Sequence, residues 1–286
     1  MTELLIVLIK LSIVAIIIAV GAGTAPADIS YLWQRPRLLI RSLIAMYVLV
    51  PLVAFVLVLV LPVTPGVKAA LLVLAVSAGA PLLPKKLKLL RSPEYIFSLL
   101  ATSSLVAIVV VPLWVALLAA YFNVTVDLPL AKVVMAIVKA ILLPLAIGMV
   151  IRLMAPAVSA RLSDAVIKLA SPVLAVAAIV LLALHWGVVM ATNWPGVVAL
   201  AILLISALFI GHRMGGPHPD DRIALAVACA TRHIGIALIV ATEFRSPGTA
   251  VIVVSYIVTA VVISSLYLTW WGRKAAAATT PATPPS

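Results

Sequence analysis

The polar residues that could do chemistry stand out because almost all of their neighbours are apolar. Residues 227 to 240 read VACATRHIGIALIV, in which Arg232 and His233 lie side by side, directly after Thr231. An arginine stays charged at physiological pH and offers a planar fork of N–H donors that matches a carboxylate, sulfonate or phosphate. A histidine is the side chain that changes its charge near physiological pH. These three residues predict a site for a small anion, with His233 as a proton carrier or a neutral hydrogen-bonding group.

A second polar interruption lies in residues 77 to 91, SAGAPLLPKKLKLLR. Its glycine and prolines, Pro81 among them, break an apolar run after about 12–14 residues, too few to cross a bilayer as one helix. Lys85 and Lys86 follow directly and are candidates for a second basic contact with an anion. The alternative is an ordinary cytoplasmic loop, because two more basic residues follow in the same stretch.

Two hydroxyl side chains, Ser98 and Thr102, follow in the next apolar segment. Because they are four residues apart, both hydroxyls lie on one face of a helix. Such a pair can bind a substrate or a cation together, or it can bond back to carbonyls of its own helix. We include both in the candidate substrate site.

The amino-acid composition indicates what environment surrounds these residues. Of 286 residues, 65% are hydrophobic and 10% are charged. A chain of this length has far too little polar surface to cover a water-facing globule, so we expect an integral membrane protein whose first partner is the lipid bilayer.

The sequence contains no constellation typical of an enzyme. It has no pair of spaced carboxylates, no HExxH or GxSxG motif and no nucleotide-binding loop. Its single cysteine, Cys229, cannot form an internal disulfide or a cysteine-cluster metal site. We therefore predict that the protein is not an enzyme and has no catalytic residue, cofactor or metal site.

Apolar stretches of about 20 residues recur along the chain, and each is long enough for a membrane-spanning helix. The prediction is an all-α polytopic membrane protein with about nine such helices. Their approximate positions are 3–20, 40–62, 67–90, 95–121, 130–153, 164–186, 195–211, 222–242 and 248–271.

The net charge of +12 is explained by the orientation of the chain in the membrane and does not indicate nucleic-acid binding. The basic residues are scattered along short loops and lack the clustered footprint that a phosphate backbone needs. They concentrate in alternate loops, which predicts an amino terminus outside and a carboxyl terminus in the cytoplasm of a bacterial-type inner membrane. Residues 273–286 are small, polar and proline-rich at their end and are predicted to be a disordered cytoplasmic tail.

The third and eighth predicted spans are the two that polar residues and glycine or proline interrupt. Each is the penultimate span of its half, and the two halves run through the membrane in opposite directions. Interrupted segments at corresponding positions are typical of transporters with inverted repeats, which bind substrate where the broken helices meet.

Residues 21 to 60, GAGTAPADISYLWQRPRLLIRSLIAMYVLVPLVAFVLVLV, resemble the early region of the bile acid:sodium symporter family. Later spans match the family in the same order, so the resemblance covers most of the chain, from about residue 10 to 271. It implies two inverted repeats of up to five helices, divided into a panel domain and a core domain in which two broken helices cross. The first repeat would be residues 1–125, lacking its initial helix, and the second residues 126–272.

The residues that the resemblance aligns with the family's first sodium site are only partly retained. Residues 81 to 87, PLLPKKL, stand where sodium-coupled members have glycines, a serine and an asparagine. Ser98 and Thr102 match the serine and threonine that complete this site, so they remain as residual sodium candidates.

The eighth span departs further from the family pattern. Alignment on Gly235 places Ala228 at the family's shared sodium-binding glutamate, Arg232 at its glutamine and His233 at its asparagine. Sodium is a hard cation that needs several oxygen ligands, and all eight acidic residues of this chain lie at span ends or in loops. The resemblance therefore implies a divergent member in which fixed cations replace the sodium ions.

These observations predict a secondary transporter that moves a small organic anion, such as a bile-acid-like molecule or another carboxylate, by alternating access. Arg232 would bind the anion, and sodium dependence would be weak or absent. Facilitated exchange, uniport and proton coupling through His233 remain as modes of transport. The alternatives are an oxyanion exporter related to arsenite carriers and a membrane scaffold that kept the fold without transport.

Overall fold

The computed structural model describes residues 2–24, 28, 30–77, 93–122, 130–184, 186–187, 194–232, 237 and 249–279. The regular structure of these residues is helical, and they contain no strand. The helices, labelled in chain order, are α1 (Thr2–Ala22), α2 (Pro36–Ile44), α3 (Val50–Val60), α4 (Pro65–Val76), α5 (Pro93–Phe122), α6 (Leu130–Ile137), α7 (Leu143–Met154), α8 (Pro156–Leu184), α9 (Trp194–Met214), α10 (Pro219–Ala230) and α11 (Thr249–Thr279). Two five-residue π-helical segments join neighbouring helices: the first π-turn (Ala45–Leu49) between α2 and α3, and the second π-turn (Val138–Leu142) between α6 and α7.

Five helical runs within the described residues are long and apolar enough to cross a membrane. They are Leu4–Ala22, Pro36–Val60, Glu94–Phe122, Pro156–Leu184 and Trp194–Met214. The expectation of an all-helical integral membrane protein is therefore confirmed. The count of nine spans and the inverted repeats stay predictions.

Helices α4 and α10 share an unusual construction. Each has 12 residues, which at 1.5 Å per residue gives about 18 Å, well short of the hydrocarbon core of about 30 Å. Each starts with a proline after an extended N-cap residue, Thr64 or His218. Proline suits this position because its missing N–H would have no helical partner there. Both helices pack against α5, α9 and α11.

The two short helices also end in the same way, on a buried hydroxyl residue. Ser77 follows α4, and its hydroxyl donates to the Val73 carbonyl at 2.7 Å. Thr231 follows α10, and its hydroxyl donates to the Val227 carbonyl at 2.6 Å. In each case the backbone N–H of the same residue donates to that carbonyl as well. The buried hydroxyl thus finds an acceptor for its own proton in the last turn, at the point where the helix stops inside the protein.

The first π-turn leaves backbone acceptors open. Val50 donates its N–H to Ala45, five residues earlier, and so withdraws it from the Met46 carbonyl. The next residue, Pro51, has no N–H to give to Tyr47. The carbonyls of Met46 and Tyr47 therefore lack the donors that an unbroken α-helix would supply.

The second π-turn repeats this arrangement elsewhere in the chain. Leu143 donates its N–H to Val138, five residues earlier, and Pro144 follows. The spacing between the π-turn and the proline is the same in both places. The chain therefore offers an internal comparison for the first π-turn.

The helices pack in two groups. In one group, α1 lies against α7 and α8. Gly148 of α7 allows this contact, because a Cβ atom there would overlap the Ile18 carbonyl of α1. In the other group, α9 packs against α3, α4, α10 and α11, and α5 packs against α4 and α10. Gly211 of α9 has a corresponding role, since a Cβ atom there would overlap the backbone of α10 at Leu225 and Ala226. This close approach holds α10 in the second group.

Candidate functional site

Helix α10 ends inside the protein and carries Arg232 just beyond its end. Its residues Ile223–Ala230 are all buried, in keeping with the small and aliphatic side chains of that stretch. Thr231 leaves the helical conformation (φ −86°, ψ 104°), so the chain turns away from the helix axis at this point. Arg232 follows with 0% of its surface exposed. A start of α10 at the edge of the hydrocarbon would put Arg232 about 18 Å deep, past the midplane.

One edge of the Arg232 guanidinium is held by the first π-turn. Its Nη1 donates a hydrogen bond to the Met46 carbonyl at 3.4 Å. This carbonyl is open because Val50 donates to Ala45 and Pro51 has no N–H. At 3.4 Å the bond is longer than the usual range of about 2.7–3.2 Å, so it is weak and easily exchanged.

The opposite edge of the same guanidinium is open within the part of the chain that the structure describes. Neither Nε nor Nη2 of Arg232 has a hydrogen-bond partner among these residues. The Tyr256 hydroxyl lies beside the guanidinium, near enough for a side-chain hydrogen bond to the group, and donates its own proton to the Ala230 carbonyl at 3.1 Å. Its oxygen does not reach hydrogen-bond geometry with Nε or Nη2. Nε and Nη2 carry parallel N–H bonds, and together they form the side-on fork that donates to both oxygens of a carboxylate.

The groups around the guanidinium are weakly polar. Tyr47, Cys229 and Tyr256 lie within electrostatic reach of Arg232, and all three are buried. The Tyr47 hydroxyl donates to the Ser103 carbonyl of α5, which anchors the first π-turn against that helix. Among the described residues, no carboxylate accepts a hydrogen bond from the guanidinium.

Among the described residues, this arrangement leaves a permanent charge largely uncompensated. An arginine cannot lose its proton in a protein, and an arginine at mid-membrane costs at least about 2.5–3.5 kcal/mol. One long bond to a neutral carbonyl offsets little of that cost. A bound anion that accepts from Nε and Nη2 would supply both the missing charge and the missing hydrogen bonds.

Ser98 and Thr102 are both buried in α5, but their hydroxyls differ in environment. The Ser98 hydroxyl accepts a hydrogen bond from the Leu32 N–H at 2.9 Å, so it ties α5 to the segment before α2. The Thr102 hydroxyl has no hydrogen-bond partner among the described residues, whereas the nearby Ser104 hydroxyl bonds back to Leu100 at 2.7 Å. No described hydrogen bond joins either candidate to Arg232.

Five candidate site residues remain, and the structure describes only one of them, Thr231. Thr231 lies next to Arg232, but its hydroxyl is engaged with the Val227 carbonyl. His233, Pro81, Lys85 and Lys86 lie outside the described residues. Within the described ranges there is no cluster of three or more histidine, cysteine, aspartate or glutamate side chains that could hold a metal ion.

Several residues of the site were missed at the level of the sequence. Met46 acts through its backbone carbonyl, which any residue type would provide. Tyr256 acts as a donor to the end of α10 from a different helix. Pro51 was the one visible signal, because a proline inside an apolar span always withholds a hydrogen bond. Its position along the chain did not reveal which side chain would take up the open carbonyl.

Residues 10–200, more than half of the 286, match the family model described as the sodium bile acid symporter family. Comparison with curated proteins gave no match. The matched stretch includes the first π-turn and ends before α10. The assignment of Arg232 to the site therefore rests on the geometry around it and not on the family match.

Proposed function

Because this chain belongs to the sodium bile acid symporter family, a family of membrane transporters, we propose that it carries a small organic anion across the membrane and binds it at Arg232. The preferred cargo is a carboxylate, either bile-acid-like or smaller. Transport proceeds by alternating access, in which the site opens to one side of the membrane at a time.

The observation that carries this proposal is the open edge of a fully buried guanidinium. Arg232 is 0% exposed, and its Nε and Nη2 have no partner among the described residues. Desolvation of a charge without compensation is costly, so a protein that keeps such a group gains most from a ligand of opposite charge. An anion stabilises this site, whereas a cation would be repelled by it.

The same charge supports transport with weak or no dependence on sodium. The side chain that the family resemblance aligns with a sodium-binding glutamate is Ala228, which is buried in α10 and has no oxygen. Arg232 holds a positive charge permanently where a bound sodium ion would otherwise have to bring one. His233, adjacent in sequence, is the group that would couple transport to protons instead.

The construction of α4 and α10 supports two inverted repeats, residues 1–125 and 126–272. Both helices have 12 residues, both start with proline, and both end on a hydroxyl that bonds back to the helix. In this proposal they are the first halves of two broken helices that cross at the substrate site. The group of α1, α7 and α8 is the panel domain, and the other group is the core domain that moves against it.

The orientation we propose has the amino terminus outside and the carboxyl terminus in the cytoplasm of a bacterial-type inner membrane. It is supported by the concentration of basic residues in alternate loops. Reporter fusions at Gln34 and at the carboxyl terminus test it. The proposal requires both fusions to report from the cytoplasmic side.

The function is tested with the purified protein in detergent and in proteoliposomes. A thermal-shift series of anionic metabolites, including arsenite as the oxyanion, identifies ligands with and without sodium. We expect carboxylates to stabilise the wild type and Arg232→Gln to abolish that stabilisation. The control is Arg213→Gln, which removes an exposed arginine and should keep the full response.

Uptake of a stabilising carboxylate into proteoliposomes then tests transport itself. Uptake by the wild type and by Arg213→Gln, but not by Arg232→Gln, is the expected result. A response to arsenite alone would favour the oxyanion exporter. Binding without uptake, or no response to any small anion, would favour a membrane scaffold.

A further inference from the structure

The first π-turn presents two open carbonyls, and each receives one donor from a distant part of the chain. Trp114 of α5 donates its indole Nε1 to the Tyr47 carbonyl at 2.8 Å. Arg232 donates Nη1 to the adjacent Met46 carbonyl at 3.4 Å. The two donors therefore divide the two acceptors that Pro51 and the π-turn leave open.

This division sets the direction of the guanidinium. Trp114 takes one acceptor position of the Tyr47 carbonyl with a bond of ordinary length, and Arg232 takes the Met46 carbonyl. A guanidinium is planar and rigid, so while Nη1 donates to the Met46 carbonyl the opposite edge points away from the first π-turn. That edge, Nε and Nη2, is the one without a partner among the described residues.

We propose that Pro51 is a positioning residue that determines the specificity of the Arg232 site. By withholding an N–H, Pro51 keeps the Met46 carbonyl open for Nη1 and thereby presents Nε and Nη2 as an oriented fork. The inference rests on the proposed function and deepens it, because it names the anionic group that the site prefers.

The oriented fork favours a carboxylate over a sulfonate on the same carbon skeleton. The two oxygens of a carboxylate lie in one plane and accept both parallel N–H bonds of the fork within that plane. A sulfonate can offer two of its three oxygens to the same fork, but its third oxygen is then buried without a donor, which costs free energy. A guanidinium that is free to turn would bind both anions mainly by charge and would discriminate less between them.

Replacing Pro51 by alanine removes the open carbonyl that orients Arg232 and leaves the charge of Arg232 in place. Residue 51 then has an N–H that can bond to the Tyr47 carbonyl as in an ordinary α-helix. Val50 is then free to bond to the Met46 carbonyl, four residues earlier, and the π-turn can relax. Arg232 thus loses the acceptor that orients it, although its guanidinium stays in the protein.

The second π-turn provides the matched control. Pro144 follows it at the same spacing as Pro51 follows the first π-turn, and Leu143 makes the same bond to a residue five positions earlier. Pro144→Ala therefore makes the same chemical change and the same relaxation of a helix. It does so in a segment that packs against α1 and carries no described contact with Arg232.

The experiment measures thermal stabilisation of the purified full chain by benzoate and by benzenesulfonate over a range of concentrations. The readout is the ratio of their apparent dissociation constants, which cancels any general change in stability. We expect the wild type and Pro144→Ala to prefer benzoate and Pro51→Ala to lose that preference by about tenfold, while still binding both anions. Arg232→Gln should bind neither.

Each other result has a definite meaning. If the wild type binds both anions without preferring benzoate, or if Pro51→Ala keeps the ratio of the wild type while Arg232→Gln loses binding, the positioning role is wrong and the proposed function stands. If Arg232→Gln is stabilised as well as the wild type, or if neither anion stabilises the wild type, Arg232 is not a site for these anions, and both proposals fail for this ligand class.

A second variant decides the matter if Pro51→Ala does not yield folded protein. Trp114→Phe keeps an aromatic ring but removes the donor to the Tyr47 carbonyl. That carbonyl then competes with Met46 for Nη1, so the fork no longer has a single direction. A reduced preference for benzoate supports the inference, and an unchanged preference overturns it.

Discussion

Arg232 and Met46 are 186 positions apart in the chain, yet the Nη1 of Arg232 donates a hydrogen bond to the Met46 carbonyl at 3.4 Å in the interior of the protein. The bond joins the end of one short helix to an irregular turn of another helix. It leaves the Nε and Nη2 edge of the guanidinium open among the described residues. Most of what we expect from this protein depends on that open edge.

The first prediction concerns the shape of the cation as distinct from its charge. Arg232→Lys keeps a positive charge but replaces a planar fork by a single ammonium. We expect the apparent dissociation constant for benzoate to rise at least about tenfold, because one charge-assisted hydrogen bond of about 1.5–3 kcal/mol is lost. Thermal-shift titration measures it. Arg213→Lys, at an exposed position, should leave the constant unchanged, and equal affinity in both variants would contradict a bidentate site.

The second prediction concerns sodium. Replacing external sodium by choline should change uptake of a carboxylate into proteoliposomes by less than about twofold, since Ala228 supplies no oxygen to a hard cation. Lithium serves as a second substitute. A steep increase of uptake with sodium concentration would show that a sodium site exists elsewhere in the chain.

The third prediction concerns the end of α10. The Tyr256 hydroxyl donates to the buried Ala230 carbonyl at 3.1 Å. Tyr256→Phe should lower the free energy of unfolding by about 1–3 kcal/mol, because the carbonyl then lacks a donor. The melting temperature in detergent measures this change. Tyr121→Phe is the control, since Tyr121 is 56% exposed and its ring contact with Phe55 is kept. Equal melting temperatures of the two variants would mean that water replaces the lost donor.

The fourth prediction concerns the contact between α1 and α7. A Cβ atom at Gly148 would overlap backbone atoms of Ile18 and Ala22. Gly148→Ala should therefore destabilise the protein by about 1–3 kcal/mol, as other overpacked sites do. Gly187→Ala is the matched control, because a Cβ placed there meets no atom of another described segment within 4 Å. The two melting temperatures are compared in the same detergent, and a stable Gly148→Ala protein would mean that the two helices can separate slightly at no cost.

The membrane location and the helical class could be predicted from the sequence because they depend on the average hydrophobicity of long stretches of the chain. A chain with 65% hydrophobic residues has few alternatives to a bilayer, and lipid enforces helices where the backbone has no other partner. The interruption at Arg232 was predictable for a local reason. A charge inside an apolar run is costly wherever the run lies, so its presence indicates a site.

The partners of the site residues could not be predicted in the same way. Ser98 was a candidate for substrate binding, but its hydroxyl accepts the Leu32 N–H from a segment 66 positions away. Thr102 shares its helix face, yet its hydroxyl has no hydrogen-bond partner within the described residues. Spacing along a helix determines which side chains share a face, whereas the neighbouring helix determines what each of them meets.

The sequence by itself determined that this protein lies in a membrane, that it is helical, that it resembles a symporter family and that a permanent cation interrupts its eighth apolar segment. Only the tertiary structure decided that the first π-turn would open the Met46 carbonyl and that Arg232 would take it. The physical reason is the range of the interactions. Hydrophobicity and helix interruption act over a few neighbouring residues, but a hydrogen bond between the ends of two distant elements exists only when the packing of the whole chain brings them together.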